Sequence, residues 1–217
     1  MISISCSNLE RARKNYTLYA EFLIDSVNLQ RRGSYGMFSY WQETAKKFHT
    51  GEFNLNDALR HLQSSFARFA DTERNRDKQT FLLEELARYV TKCKSEKLVY
   101  YEPVHLFKWG LTPQVQFTGK TPWVFKNEQG YFAYFCQEKE LIWKDELRFP
   151  LLQKYMSQNI LRRRLSELQI GVYFLETRAY DFKRYSPLEV RNAVQEATQL
   201  FTNVYEEYSR LREGAGQ

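Results

Sequence analysis

The spacing of apolar residues changes once along the chain, near residue 96. Before this point apolar residues recur every three to four positions, which is typical of helices that bury one face. The pattern predicts helices at about residues 9–23, 37–48, 56–69 and 77–93, and either Asn54 or Asn56 can begin the third. Residues 2–5 alternate Ile and Ser and predict a short extended segment. Ser7 and Glu10 have the spacing of a capping box that would begin the first helix.

Beyond residue 96 the apolar residues form short runs that predict β-strands. The runs read LVYYEPVHLFKW, VQFTG, WVF, YFAYF and IGVYFLET. Turn-forming residues 127–130 join WVF to YFAYF as a hairpin, and a helix over about 145–165 precedes the last strand. Ser186, Pro187 and Glu189 begin a final helix over about 188–212. This order predicts an α/β (α+β) fold in which a mixed central sheet is flanked by helices.

The same change in pattern suggests how the chain is organised. Residues 1–96 form an N-terminal extended segment and helical subdomain, and residues 97–217 form an α/β core. No stretch rich in Gly, Ser or Pro lies between them to act as a flexible linker. We therefore expect both parts to pack as a single compact unit.

Composition excludes several classes of protein. A hydrophobic content of 43% with 27% charged residues is typical of a soluble globular chain. No run of about 20 apolar residues could cross a membrane, and the first residues lack the apolar core of a signal peptide, so we expect a cytoplasmic protein. Cys6, Cys93 and Cys136 are far apart, which argues against a zinc or iron–sulfur site built on cysteine and fits a reducing compartment.

The net charge of the chain is mildly basic and is compatible with a polyanionic partner. The chain carries a formal charge of +6 and has a pI near 9.1. Lys and Arg gain affinity for nucleic acid by releasing the counterions of phosphates. Candidate phosphate-contacting residues are clustered along the chain, namely Arg31, Arg32, Lys154, Arg162 and Arg163.

Common enzyme motifs are missing from the sequence. There is no G-x-x-x-x-G-K-[ST] for nucleotide phosphates and no G-x-S-x-G for an α/β-hydrolase nucleophile. His49, His61 and His105 are isolated from one another and do not form a zinc-binding pair. Any catalytic site must therefore be sought elsewhere.

The end of the strand YFAYF carries the most informative polar residues. Gln137, Glu138 and Lys139 follow this strand, Gly119 lies in an earlier strand, and Gln153 lies on the following helix. Together with the extended Ser-x-Ser start and the order of elements, these positions resemble the PD-(D/E)xK nuclease superfamily. The most similar part of it is the branch of RecB-like and CRISPR-adaptation exonucleases. The resemblance extends over nearly the whole chain, although each motif is short.

The resemblance implies a restriction-endonuclease-like core and a metal-dependent reaction on DNA. Enzymes of this kind use Mg²⁺ or Mn²⁺ to polarise the phosphate and activate water. By analogy, Lys139 would assist the water, and Gln137 and Glu138 would shape the metal site. Gln153 would orient a phosphate or a water molecule.

The sequence also departs from the pattern of the superfamily. Pro122 stands where the second strand should carry a metal-binding Asp, and Gln137 replaces a carboxylate. Tyr40 stands at the position of a histidine in the helical region, for which His49 is an alternative in a shifted register. We therefore expect a catalytically degenerate nuclease-like protein of DNA processing or defence. The alternatives are an active nuclease, with a glutamate such as Glu128, Glu138 or Glu140 supplying charge, and a non-enzymatic DNA-binding or adaptor subunit of a larger assembly.

Overall fold

A computed structural model of the protein describes residues 1–27 and 36–214 and confirms the predicted mixed α/β architecture. The helices are α1 (Leu9–Lys14), α2 (Tyr16–Val27), α3 (Met37–His49), α4 (Leu55–Phe66), α5 (Glu73–Ser95), α6 (Arg148–Tyr155) and α7 (Pro187–Gly214). The strands are β1 (Ile2–Ser5), β2 (Val99–Glu102), β3 (Leu106–Gly110), β4 (Val115–Lys120), β5 (Trp123–Asn127), β6 (Gly130–Gln137), β7 (Leu168–Phe174) and β8 (Ala179–Lys183).

The strands form two sheets, whereas the sequence predicted one. A small sheet has the order β1-β4-β3, and a main sheet has the order β2-β5-β6-β7-β8. The chain passes from the small sheet to the main sheet through Thr121 and Pro122, between β4 and β5. Thr121 and His105 are joined by two hydrogen bonds of 2.9 Å, which tie together the two points at which the chain changes sheet. Proline has no N–H to donate to a strand ladder, so Pro122 favours a break at this position.

The centre of the main sheet agrees with the sequence. β5 and β6 form an antiparallel hairpin, as residues 127–130 predict. After β6 the chain crosses over through α6 and returns as β7, which is parallel to β6. The sequence analysis missed the edge strand β8. A Cβ added to Gly171 of β7 would lie only 2.1 Å from the carbonyl oxygen of Asp181, so glycine allows β8 to pair closely.

Two hydrophobic cores lie on opposite faces of the main sheet. The first contains α1, α2, α6 and α7 residues, and the second contains residues of α3, α4 and α5. β7 contributes to both, because Ile170 and Val172 point into the first core and Tyr173 into the second. The segment predicted as one helical subdomain is thus divided, since its first two helices pack with the C-terminal helix α7.

Local details correct three of the sequence-based predictions. The capping box of Ser7 and Glu10 is not formed, because Asn8 precedes α1 and the Glu10 carboxylate instead accepts a hydrogen bond from the Leu147 N–H at 2.6 Å. The first helix is interrupted at Asn15, whose side chain accepts from the N–H of Leu18. The helix expected over 145–165 is shorter: α6 continues as a π-helical turn, Met156–Ile160, and then ends.

Among the described residues, no helix combines the length and the apolar character that crossing a membrane requires.

Candidate functional site

Three residues predicted for catalysis or metal binding stand where β6 ends. Gln137 is the last residue of β6, and its carbonyl oxygen accepts a hydrogen bond of 2.9 Å from the N–H of Leu175. The Glu138 carboxylate lies 2.8 Å from the ammonium of Lys78 on α5. The Lys139 side chain is 75% exposed and lies 3.7 Å from the Glu176 carboxylate. The sequence-adjacent residues are therefore directed to different partners.

This arrangement does not fit a Mg²⁺ or Mn²⁺ site. Magnesium requires several oxygen ligands, usually including carboxylates. Here Gln137 is neutral, and the charge of Glu138 is compensated by Lys78. In residues 1–27 and 36–214, no group of three or more His, Cys, Asp or Glu could hold a metal ion.

Other residues of the resemblance are placed apart from the end of β6. Gly119 lies in β4 of the small sheet, where an added Cβ would be 2.9 Å from the sulfur of Cys6. Glu128 lies in the hairpin turn before β6, 4.0 Å from Lys97, with 90% of its side chain exposed. Neither residue shares a contact with Lys139 in the described structure.

Gln153 on α6 is fully buried, and its amide is engaged by the backbone. Its nitrogen donates to the carbonyl oxygens of Leu165 at 3.1 Å and Tyr185 at 3.2 Å. Its oxygen accepts from the N–H of Tyr185 at 2.9 Å. The side chain thus connects α6 to the segments that precede β7 and α7. The predicted role in orienting a phosphate would require these hydrogen bonds to break.

Several residues that were predicted to bind nucleic acid lie together at the end of α6 and just after it. The π-helical turn ends at Ile160, and the N–H of the next residue, Leu161, donates to the carbonyl of Met156. Arg162 then adopts a left-handed conformation with φ of 52°, which reverses the chain. Because of this reversal Arg163 and Arg164 leave the helix, and they face the beginning of α7 across a cleft. The sequence predicted a helix over about 145–165 that would include the arginine run, but the run lies beyond the end of the helix.

We call this cleft the basic groove. It has a volume of about 420 Å³, and none of the described residues that line it is an aspartate or a glutamate. Its cationic lining residues are Lys154, Arg163, Arg164 and Arg191. Small polar and apolar residues complete the walls, among them Ser157, Gln158 and Pro187. A concave surface with cations and without lining carboxylates attracts polyanions.

Neighbouring side chains orient the cations of the basic groove. Arg164 donates to the Glu167 carboxylate at 3.0 Å, and this hydrogen bond is the main cause that lowers the pKa of Glu167. Arg163 lies near the hydroxyl of Tyr131, and the pKa of this hydroxyl is lowered first by its interaction with Tyr101 and further by that with Arg163. These partners leave N–H groups of both guanidinium groups available, because each carries five donors.

The sequence predicted part of the basic groove. Lys154 and Arg163 line it, and Arg162 is exposed beside it. Arg191 was missed, although its position four residues after Pro187 indicated the first turns of the last helix. Arg31 and Arg32 lie outside the described residues.

The basic groove and the end of β6 lie at opposite ends of the main sheet. Tyr131, which lies near Arg163, is the second residue of β6, and Gln137 is the last. They are six positions apart along the strand, which corresponds to roughly 20 Å at about 3.3 Å per residue. Among the described residues, the predicted DNA-contacting residues Lys154 and Arg163 and the predicted metal-site residues therefore do not form one surface around a common phosphate.

Comparison with known proteins adds no assignment: no family model matches the chain, and no curated protein matches it.

Proposed function

We propose that this chain is a DNA-binding protein with a nuclease-like fold, and that it holds DNA phosphates in the basic groove without cutting the strand. The observation that supports the proposal is the lining of the groove by four cationic residues, with no carboxylate among the described lining residues and only Arg164 paired with a carboxylate, that of Glu167, outside the lining. A role in DNA processing or defence follows from the sequence resemblance alone.

The chemistry of the groove suits a ligand that carries phosphate groups. Guanidinium groups donate paired hydrogen bonds that match two phosphate oxygens. The three arginines and Lys154 come from three segments of the chain, so the cations surround the cleft instead of forming one row. A net charge of +6 adds long-range attraction to a polyanion.

Fluorescence anisotropy with a labelled DNA oligonucleotide tests the proposal at several salt concentrations. Each phosphate neutralised by a cation contributes about 0.9 to the slope of log affinity against log salt concentration for duplex DNA. A triple alanine variant of the groove should therefore reduce the slope by about 2 to 3 and weaken binding at all salt concentrations. The substitutions are Lys154→Ala, Arg163→Ala and Arg191→Ala.

A matched variant separates local contacts from net charge. It also removes three positive charges, but at exposed positions on α1, α4 and α5. The substitutions are Lys14→Ala, Arg60→Ala and Arg74→Ala. Equal losses in the two triple variants, or no DNA binding by the wild-type chain, would refute the groove as the DNA site.

A cleavage assay tests the second part of the proposal. The wild-type chain with Mn²⁺ should leave a labelled DNA strand intact. Cleavage that disappears in a Glu138→Ala, Lys139→Ala variant would instead establish the active nuclease that the sequence resemblance left open. The DNA-binding result would stand independently of this outcome.

A further inference from the structure

A second cleft lies at the other end of the main sheet, between α3 and the connection from β4 to β5. Its volume is about 590 Å³. One wall is a polar face of α3 formed by Ser39, Gln42, Glu43 and Lys46, which recur at helical spacing. The opposite wall contains Lys120 of β4 and an apolar surface that includes Leu106. We call it the α3 cleft.

The walls of the α3 cleft are held in place before any ligand arrives. The ring of Trp41 on α3 stacks on Trp123 at the start of β5, with ring centroids 6.4 Å apart. The side-chain amide of Gln42 donates to the carbonyl of Cys136 at 3.2 Å and so joins α3 to the end of β6. A binding cleft whose walls are already fixed loses little entropy when it is filled.

Charge and apolar surface are separated within the α3 cleft. Lys46 and Lys120 approach it from different elements, and neither has an ion-pair partner among the described residues. Glu43 also lines the cleft. Its carboxylate lies 3.9 Å from the ammonium of Lys47, which is not a lining residue. Leu106, directly opposite Lys120 in the ladder of β3 and β4, is 82% exposed. Leu106 thus adds exposed apolar surface beside the polar wall of the cleft.

We infer that the α3 cleft binds a nucleoside monophosphate. The two lysines would receive the phosphate, because an ammonium group donates strongly to phosphate oxygens. The apolar wall of Leu106 and Phe135 would pack against the flat base, and Glu43 would accept hydrogen bonds from the sugar hydroxyls. The cleft is large enough for a ligand of this size. This inference does not depend on DNA binding, because the basic groove shares no lining residue with the α3 cleft.

Isothermal titration of the full chain with AMP, adenosine and ribose 5-phosphate tests the inference. AMP should bind at least about tenfold more tightly than either fragment, because only AMP carries both the phosphate and the base. Lys46→Met or Lys120→Met should weaken AMP binding about tenfold or more, as expected for a lost charge-assisted hydrogen bond, and leave adenosine binding unchanged. Leu106→Ser, at an exposed position, should weaken AMP and adenosine binding but not ribose 5-phosphate binding.

The matched control is Lys108→Met, an exposed lysine on β3 outside the lining. It should bind AMP as the wild type does. The inference is overturned if AMP does not bind, if ribose 5-phosphate binds as tightly as AMP, or if Lys108→Met weakens AMP binding as much as Lys46→Met.

Discussion

Replacing Gln153 by methionine tests whether this residue supports the fold or acts in a site. Methionine has a similar length and an apolar surface but cannot form the three hydrogen bonds that the Gln153 amide makes with Leu165 and Tyr185. The position is fully buried, so water cannot replace the lost partners. The Tyr185 N–H and carbonyl would then be left without the hydrogen bonds they make in the wild type.

The expected loss of stability follows from these contacts. A typical hydrogen bond contributes about 1 kcal/mol, and a buried group left unsatisfied costs about 1 to 3 kcal/mol. We therefore expect Gln153→Met to lower the free energy of unfolding by about 3 to 5 kcal/mol. That is a large share of the roughly 5 to 15 kcal/mol of a typical domain.

Equilibrium unfolding in urea measures the effect. Leu152→Met is the control, because it changes the neighbouring fully buried residue without removing a hydrogen bond and should cost less than about 1.5 kcal/mol. At low temperature, where the variant remains folded, Gln153→Met should bind DNA as the wild type does. A stability loss no larger than that of Leu152→Met, or selective loss of DNA affinity in the folded variant, would refute the structural role.

Two further predictions concern stability. Burial lowers the pKa of His49 in the folded chain to about 3. As the pH is lowered below an unfolded pKa near 6.5, only the unfolded state binds the proton, so the free energy of unfolding decreases as the pH decreases. Between pH 7.5 and 5.5 the fall should be about 1 kcal/mol in urea titrations, and His49→Gln should remove it; an equal fall in that variant would contradict the assignment. Gly171→Ala should lower the thermal unfolding midpoint by several degrees, since its Cβ would meet the Asp181 carbonyl at 2.1 Å. Gly110→Ala, whose nearest neighbour would be 3.9 Å away, should leave the midpoint nearly unchanged, and equal shifts would show that the close pairing of β8 is unimportant.

Local patterns in the sequence predicted those elements whose signals lie within a few residues. The turn at residues 127–130 and the cap formed by Ser186 and Glu189 both appear as expected, with Glu189 accepting from the Ser186 N–H at 2.7 Å. Contacts between distant segments decided the rest. Glu10 was assigned to a local capping box, but its carboxylate accepts from Leu147, 137 positions away.

The candidate site shows the same limit. Lys154 and Arg163 could be selected because they are basic and close in sequence, yet Arg191 joins them only through the packing of α7. Gln153 was selected for its polarity beside a predicted site, while the partners that occupy its amide come from before β7 and before α7. Periodicity cannot show whether a polar side chain on a buried face points to a ligand or to the backbone.

The alternation along β7 has a consequence for how the chain can vary. Ile170 and Val172 belong to one core and Tyr173 to the other. If β7 shifted by one residue against β6, its side chains would exchange cores, and the packing against both layers of helices would be lost together. Because such a shift would disrupt the packing of two cores, the register of the central strands is more strongly specified than in a sheet with one face in water. The outer strands and the helix surfaces are therefore freer to diverge, and both clefts lie partly on those surfaces.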